Sequence, residues 1–243
     1  MNTDLQAKGT PADGELAILD PLRKQLDPSV SARCRSNRIR TRLARCVPIF
    51  KARELLTQVG WTYQDGALRN AKGQPFVFEI LDDTGGGASM EPVAAAFGRN
   101  LQKLGITMNF CTVDYALIQK RLDAFDYEMA SMRMPDVQIP GTEQVSRFGS
   151  KYADQQGSDN LAGVKSPAID AILQKVVNAR TREQLVDATH ALDRVLMNGY
   201  GVIPHWYSAP HRIAYRNTMG YPSTLPLYYA AEEWVLSAWW KKK

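Results

Sequence analysis

Residues 76–81 read Phe-Val-Phe-Glu-Ile-Leu, and residues 106–113 read Ile-Thr-Met-Asn-Phe-Cys-Thr-Val. Apolar side chains alternate along both stretches, and a period of two is typical of β-strands. Between them, Ser89–Leu104 has the capping residue and spacing of a helix that ends before Gly105. A strand, a helix and a second strand in this order predict parallel neighbours joined by a right-handed crossover.

Further stretches extend this pattern along the chain. Asp114–Ala124 has helical spacing and Asp126–Met132 predicts a third strand, so the strand–helix–strand unit occurs twice in succession. Upstream, Lys51–Val59 predicts a helix with Gly60 as its C-terminal stop. Together these elements predict an α/β fold with a mixed sheet and helices on both of its faces.

A helical hairpin is predicted further along the chain. Ser166 opens a helix that runs to Ala179, and Thr181 opens a second helix that runs to about Asn198. Gln184 is placed for a capping box with Thr181. Composition predicts loops at 82–87 and 134–163, and short strands at 202–207 and 211–215.

The positive charge of the chain comes from one segment. The 243 residues include 30 Lys and Arg and 25 Asp and Glu, a net charge of +5. Eight of the basic residues and none of the acids lie within 28–53, so the remainder carries a net charge of −3. A protein that binds nucleic acid spreads its cations over a folded face, and this distribution does not favour that function. Residues 31–50 fit a solvated basic arm, a patch for nucleic acid or an anionic membrane, or sequence never selected to fold.

The sequence contains no catalytic or metal-binding constellation. Cys34, Cys46 and Cys111 are too few and too widely spaced for a disulfide framework or a zinc site. The Gly-x-Ser-x-Gly and Ser-x-x-Lys patterns of nucleophilic enzymes are missing. The adjacent acids Asp82 and Asp83 predict a solvated turn rather than an acid–base pair. We therefore expect a non-enzymatic protein without a cofactor or a metal.

Aromatic residues are the candidates for a binding surface. Trp206 and Tyr207 follow an apolar stretch, and aromatic residues at strand ends often wall ligand clefts because they combine apolar area with a polar tip. Packing against the helical hairpin explains them equally well, so both interpretations stay open. For Trp239 and Trp240, packing is the simpler interpretation.

Several short motifs, taken in order, resemble one protein family. The first, Lys51–Trp61, contains Leu-Leu-x-x-x-Gly-Trp and precedes an alternating apolar strand. The others lie at 121–129, 139–144, 157–170, 191–196 and 211–215. As an ordered set they resemble the C-terminal lobe of the oligopeptide-type solute-binding proteins of ABC importers, in particular the YejA-like branch associated with uptake of peptides and microcin C. Residues 11–28 resemble this family too, whereas residues 31–50 do not.

The resemblance implies a periplasmic binding protein whose two lobes close about a hinge around a ligand. Residues 1–30 are then a remnant of the preceding lobe or hinge region, 31–50 a basic irregular segment, and 51–243 the C-terminal solute-binding lobe. The implied partners are a peptide or peptide-like ligand and ABC permease subunits in the inner membrane. We expect a monomer that binds no nucleic acid.

The chain is expected to be incomplete beside that family. It carries no signal peptide and resembles roughly the last two-fifths of a family member, so we expect it to remain cytoplasmic if its start is real. A local frameshift would explain the Arg- and Cys-rich composition of residues 31–50. One lobe cannot close a cleft, so we expect the isolated chain to bind peptides weakly or not at all.

The resemblance also nominates residues that face the ligand. Arg133 is suited to a carboxylate or a phosphate because its guanidinium pairs with either at two points; a surface salt bridge is the alternative. The rival hypothesis is a nucleic-acid-binding protein that acts through the Arg-rich segment 31–53. The full set of predicted ligand-binding residues is Arg133, Asp136, Glu143, Asn160, Trp206 and Tyr207.

Overall fold

The computed structural model describes residues 4–31, 46–83, 90–132, 139–204, 213–224 and 231–242. The chain divides into two compact units, one of residues 4–202 and one of residues 203–243 together with residues 1–3. Among the described residues, no helix combines the length and apolarity needed to traverse a bilayer. The domain boundaries predicted at residues 30 and 50 stay predictions.

The first unit alternates helices and strands. Its helices are α1 (Asp13–Leu19), α2 (Cys46–Gln58), α3 (Glu91–Gln102), α4 (Tyr115–Asp123), α5 (Glu143–Phe148), α6 (Pro167–Val177) and α7 (Arg182–Asn198). Its strands are β1 (Thr62–Gln64), β2 (Ala67–Arg69), β3 (Val77–Asp83), β4 (Thr107–Val113) and β5 (Met129–Ala130). Short 3-10 turns cover Asp20–Gln25, Pro28–Ser31 and Ser150–Tyr152.

A three-stranded sheet in the order β4-β3-β5 forms the centre of the α/β part. Both pairs are parallel, with Leu81 opposite Cys111 on one side and Ala130 on the other. The predicted α/β class and the parallel neighbours are confirmed. The strands that pair antiparallel in the described chain lie outside this sheet, in two-stranded ribbons, and a single antiparallel bridge joins Arg69 to Pro75.

Helices cover both faces of this sheet, as predicted. Alternate residues of β3 point to opposite faces, and each face has its own apolar cluster. Phe78 packs with residues of α2 and α3, including Leu56 and Leu101. Leu81, on the other face, packs with Ile118 and Leu122 of α4.

A small β-hairpin, β1–β2, was not predicted. Its two-residue turn is Asp65-Gly66, and both residues have positive φ, at 51° and 80°. Asp-Gly is a favoured pair for such tight turns because these residues tolerate positive φ better than most. The hairpin joins the sheet region through the Leu68 N–H, which donates to the Gly105 carbonyl at 2.7 Å.

The predicted helical hairpin is confirmed as α6 and α7. Ser166 caps α6 by accepting from the Ile169 N–H at 3.4 Å, and Thr181 caps α7 by accepting from the Gln184 N–H at 3.2 Å. The two helices pack through apolar residues such as Ile172 and Ala191, both fully buried. This is the largest apolar cluster of the described residues.

Residues 4–30 dock on this hairpin through buried charge. Arg194 of α7 is 1% exposed and Glu15 of α1 is 2% exposed, and the guanidinium donates to the carboxylate. Arg194 also donates to the backbone carbonyls of Gly9, at 3.0 Å, and Lys8, at 3.3 Å. Because the cation is fully paired, its burial is tolerated.

A glycine allows α1 to approach α7 closely. An ideal Cβ at Gly14 would lie 1.9 Å from Oδ2 of Asp187, so no larger residue fits without movement. Leu19 of α1 is then buried in the same apolar cluster as α6 and α7.

The second unit contains α8 (Ala231–Ala238) and the short antiparallel pair β6 (Met219–Gly220) and β7 (Trp240–Lys241). The Trp239 ring stacks on Tyr221, with centroids 5.0 Å apart, and meets the edge-on Tyr215 at 4.9 Å. The packing role predicted for Trp239 is confirmed, whereas Trp240 is about half exposed. The described parts of the two strands predicted at 202–207 and 211–215 are not strands.

Several element boundaries differ from the predictions. Helix α2 begins at Cys46, five residues before the predicted start, and its first turn contains a proline. The helix tolerates this proline because a proline in a first turn loses no helical hydrogen bond. Strand β3 runs on to Asp83, and the strand predicted at 126–132 is only Met129–Ala130. Helix α3 begins at Glu91 after Met90, and the predicted cap Ser89 lies outside the described residues.

The long loop predicted at 134–163 is partly helical. Glu143–Phe148 forms α5 and Ser150–Tyr152 forms a 3-10 turn. Val145 and Phe148 pack against the core of the helical hairpin. Tertiary packing thus stabilises a short helix that composition alone did not indicate.

Candidate ligand-binding site

The candidate site lies at the carboxyl edge of the parallel sheet. Strands β3, β4 and β5 end at Asp83, Val113 and Ala130, and parallel strands end at the same edge. In open α/β sheets, ligands bind in the crevice outside this edge. Residues 84–89, after β3, and residues 133–138, after β5, lie outside the described residues.

The acids at this edge are not equivalent. Asp82, predicted to be a solvated turn residue, is 7% exposed and lies within β3, opposite Thr112. The prediction is wrong because the strand continues past Leu81 and carries Asp82 into the sheet. Asp114, after β4, caps α4 by accepting from the Leu117 N–H at 2.9 Å. Its carboxylate therefore orients a helix at this edge.

The structure describes two of the predicted ligand-binding residues, Glu143 and Asn160. The other four, namely Arg133, Asp136, Trp206 and Tyr207, lie outside the described residues. For these four, ligand contact stays a prediction.

Glu143 begins α5 and folds back on the preceding turn. Its Oε1 accepts from the Gly141 N–H at 2.7 Å and from Nε2 of Gln144 at 3.1 Å. Partial burial works to raise the pKa of Glu143, but the hydrogen bond from Gly141, the other hydrogen bonds and the nearby Arg147 outweigh it and lower the pKa. The carboxylate is therefore charged near neutral pH.

Asn160 is fully buried, and its amide is committed to the backbone. Nδ2 donates to the carbonyls of Gly149, at 3.0 Å, and Val164, at 2.9 Å, while Oδ1 accepts from the Val164 N–H at 2.9 Å. Both amide protons are used in this way. Ligand contact by Asn160 stays a prediction, and its described contacts all hold the local chain.

These bonds are part of a segment, residues 149–166, that we call the strap. The Ser150 N–H donates to Oδ1 of Asp170 in α6 at 2.8 Å, which fixes the strap at the helical hairpin. At the sheet, the Tyr127 hydroxyl donates to the Leu161 carbonyl at 2.7 Å, and Leu161 packs in the cluster around Leu81. The strap therefore ties the hairpin to the sheet.

Tyr127 was not predicted from the sequence to be a residue that supports the site. Burial raises its pKa, so the hydroxyl keeps the proton that it donates to Leu161. Its position just before a short strand gave it the appearance of an ordinary strand residue. An isolated tyrosine in a strand carries no signal of a partner 34 positions away.

A salt bridge supports the sheet beside the site. Arg121, at the end of α4, contacts Oε1 of Glu79 at 2.8 Å and Oδ2 of Asp126 at 3.3 Å. The Glu79 N–H donates to Oε2 of Glu128 at 2.7 Å. The residues around β5 are thus fixed to β3 by polar contacts as well as by the ladder.

Within the described ranges, no group of three His, Cys, Asp or Glu residues is arranged to hold a metal. Cys111 forms no disulfide. His190 faces Glu15, with Nδ1 3.3 Å from Oε1, and the backbone oxygen of Asp4. These contacts belong to the docking of α1 and not to the sheet edge.

Comparison with known proteins gives one family. Residues 48–156 match the model of the bacterial extracellular solute-binding proteins, family 5, middle segment. This range includes β1–β5, α3, α4 and α5, and therefore the whole sheet and its carboxyl edge.

Two curated relatives and one solved structure illustrate the similarity. A binding protein of Brucella melitensis is 39% identical over 80% of this chain, which spans 30% of that protein. The probable peptide-binding protein YejA of Agrobacterium fabrum is 36% identical over 100% of this chain and 39% of its own length. The oligopeptide-binding protein AppA of Bacillus subtilis, solved with a nonapeptide, has a TM-score of 0.55 and 16% identity over 77% of this chain and 38% of its own. The chain therefore spans less than half the length of these proteins.

Proposed function

We propose that this chain is the C-terminal lobe of a peptide-binding component of an ABC importer, because residues 48–156 match the model of the bacterial extracellular solute-binding proteins, family 5. It captures a peptide or peptide-like compound and delivers it to permease subunits. The observation that carries the proposal is the coincidence of the family segment with the parallel sheet and its carboxyl edge. The 36% identity to a probable peptide-binding protein favours a peptide as the ligand.

The proposed mechanism is capture by closure of two lobes around an extended peptide. Main-chain hydrogen bonds hold such a ligand largely independently of its side chains. In this proposal Arg133 pairs with the peptide carboxylate, and Asp136 and Glu143 face its cationic groups. Trp206 and Tyr207 contribute apolar area, and Asn160 holds the strap.

The resemblance to the family also supplies the location, the oligomeric state and the chemistry that we propose for the complete protein. The complete protein acts in the periplasm, as a monomer, without covalent chemistry. Microcin C, a peptide linked to a nucleotide, belongs to the same ligand class as the peptides. Nothing in the comparisons supports a nucleic-acid-binding role for the segment 31–53.

A chimera tests the proposal. Residues 48–243 would replace the matching part of the Agrobacterium fabrum relative, and peptide binding would be measured by calorimetry beside the unmodified relative and this chain alone. We expect the chimera to bind the peptides that its parent binds. We expect the isolated chain to bind them much more weakly, because one lobe does not enclose a ligand.

Two variants of the chimera locate the site. Arg133→Met removes the proposed carboxylate partner and should weaken binding, whereas Arg99→Met, on the exposed face of α3, should not. A chimera that keeps the melting temperature of its parent and binds none of the same peptides would contradict the proposal.

A further inference from the structure

A concave site lies between α5, the 3-10 turn Ser150–Tyr152 and α6. Its volume is about 320 Å³, near the lower end of the range for small-molecule pockets. None of its residues belongs to β3, β4 or β5. We call it the α5–α6 pocket, and its lining includes Val145, Lys151, Tyr152, Asp170, Leu173 and Gln174.

The apolar floor of the α5–α6 pocket is part of the folded core. Leu173 is 1% exposed, and Val145 packs against the same apolar cluster. Gly149 also lines the pocket, and an ideal Cβ there would lie 2.5 Å from the Val145 carbonyl oxygen, so the wall excludes any side chain at this position. The Ser150 N–H donates to Oδ1 of Asp170 at 2.8 Å, which fixes the rim. The floor and this edge of the pocket are therefore held by contacts within the fold.

The rim carries two opposite charges that do not pair with each other. Lys151 is exposed and forms no ion pair with any described residue, and its Nζ lies 5.4 Å from the ring centroid of Tyr152. Asp170 accepts one backbone hydrogen bond and likewise has no described cationic partner. Two opposite charges that line one pocket without bonding to each other leave room for a ligand that bridges them.

We propose that the α5–α6 pocket binds a free α-amino acid with an aliphatic side chain. The carboxylate pairs with Lys151, the ammonium group pairs with Asp170, and the side chain lies on Val145 and Leu173. A simple anion is disfavoured by Asp170 and a simple cation by Lys151, so the pair of charges selects a zwitterion. Tyr152 and Gln174 also line the pocket and can add hydrogen bonds. None of its lining residues is among the residues assigned above to the peptide site.

Titration of the full chain with L-leucine, followed by amide NMR, tests this inference. We expect saturable shifts of the amides of Ser150 and Gln174, since Gln174 lines the pocket and the Ser150 N–H donates to Asp170. Two analogues separate the charges: 4-methylpentanoate lacks the ammonium group, and 3-methylbutylamine lacks the carboxylate. Each should bind about tenfold more weakly than leucine.

Variants locate the binding. Lys151→Met and Asp170→Asn should each weaken leucine binding by about tenfold, and Asp170→Asn keeps an oxygen that accepts from the Ser150 N–H. Lys175→Met, an exposed lysine of α6 outside the pocket, is the matched control and should bind leucine as the unmodified chain does. Absence of saturable shifts at millimolar leucine, equal binding of 4-methylpentanoate, or unchanged affinity in Lys151→Met would each overturn the inference.

Discussion

The hairpin region and the sheet region of the first unit are stabilised differently. The hairpin region, residues 4–30 with α6 and α7, has a single apolar cluster and a buried ion pair, Arg194–Glu15. The sheet region, β3–β5 with α3 and α4, has a separate smaller cluster on each face. The buried ion pair lies in the region that supports the fold and not at the candidate site. A buried, paired charge is thus a structural feature here and does not mark a binding site.

The largest expected effect comes from breaking the buried ion pair. Arg194→Met leaves Glu15 buried without its cation and removes the donor to Lys8 and Gly9. We expect the free energy of unfolding to fall by about 3–5 kcal/mol, as measured by urea denaturation. Arg182→Met, which removes the exposed partner of Asp4, is the control and should leave the free energy of unfolding unchanged. Equal effects of the two substitutions would show that burial does not make the Arg194–Glu15 pair more important for stability than an exposed ion pair.

A core truncation in the sheet region should have the next largest effect. Leu81→Ala removes a fully buried side chain from the cluster under α4 and should cost about 3 kcal/mol. Val77→Ala, at a 44% exposed position of the same strand, should cost less than about 0.5 kcal/mol. Hydrogen exchange would sharpen the comparison: we expect faster exchange in β3–β5 with α6 and α7 unchanged. Uniform acceleration would instead mean that the two regions open together.

The strap between the regions gives a third measurement. Asn160→Ala leaves the carbonyls of Gly149 and Val164 without their donor and should cost about 2 kcal/mol. Asn178→Ala also removes an amide that donates to a backbone carbonyl, but on the exposed end of α6, and should cost much less. Similar decreases in the melting temperature of the two variants would show that the burial of Asn160 does not increase its contribution to stability.

A single hydroxyl links the strap to the sheet. Tyr127→Phe removes only the donor to the Leu161 carbonyl and should cost about 1 kcal/mol in urea denaturation. Tyr115→Phe, at an exposed position of α4, is the matched removal of a hydroxyl and should have no effect. If the two substitutions change the stability equally, the hydrogen bond from Tyr127 to Leu161 does not attach the strap to the sheet.

The smallest expected effect is on the pH dependence of stability. Burial works to raise the pKa of Glu15, but hydrogen bonds from Arg194 and the Ala12 N–H and the charge of Arg194 outweigh it, so the pKa is lowered below the ordinary 4.5. The folded state therefore holds this proton more weakly than the unfolded state. The stabilisation is complete above 4.5 and is lost as the pH falls through the lowered pKa.

The comparison with Glu15→Gln isolates this effect. Burial raises the pKa of the neighbouring Asp193, which acts in the opposite direction, but Asp193 is present in both proteins. The melting temperature of the unmodified chain should fall more steeply on acidification than that of Glu15→Gln. Parallel curves would contradict the lowered pKa.

Periodic residues made much of the fold predictable. The apolar alternation of β3 and β4 and the caps Ser166 and Thr181 gave the right elements, because local pattern and tertiary packing agree there. Helix α5 was missed because Val145 and Phe148 gain their apolar surroundings only from the hairpin. The β1–β2 hairpin was missed although Asp65-Gly66 carried a local turn signal.

The candidate site was less predictable than the fold. Asn160 was predicted by resemblance to bind the ligand, which stays a prediction, and its bonds to Gly149 and Val164 depend on how the strap folds. Asp82 was placed in a turn because two adjacent acids suggest solvent, whereas the ladder with β4 extends to this residue. Sequence periodicity reports which face a side chain lies on, but not which distant carbonyl it will meet.

The docking of α1 on α7 also constrains the order of folding. The bond between Glu15 and Arg194 joins residues 179 positions apart. During synthesis, residues 4–30 leave the ribosome long before α7 exists, so Leu19 and Glu15 have no partner until nearly the whole first unit has emerged. The β3–β4 pair closes a much shorter loop and can form first. The N-terminal residues are thus expected to be among the last of this unit to reach their native positions.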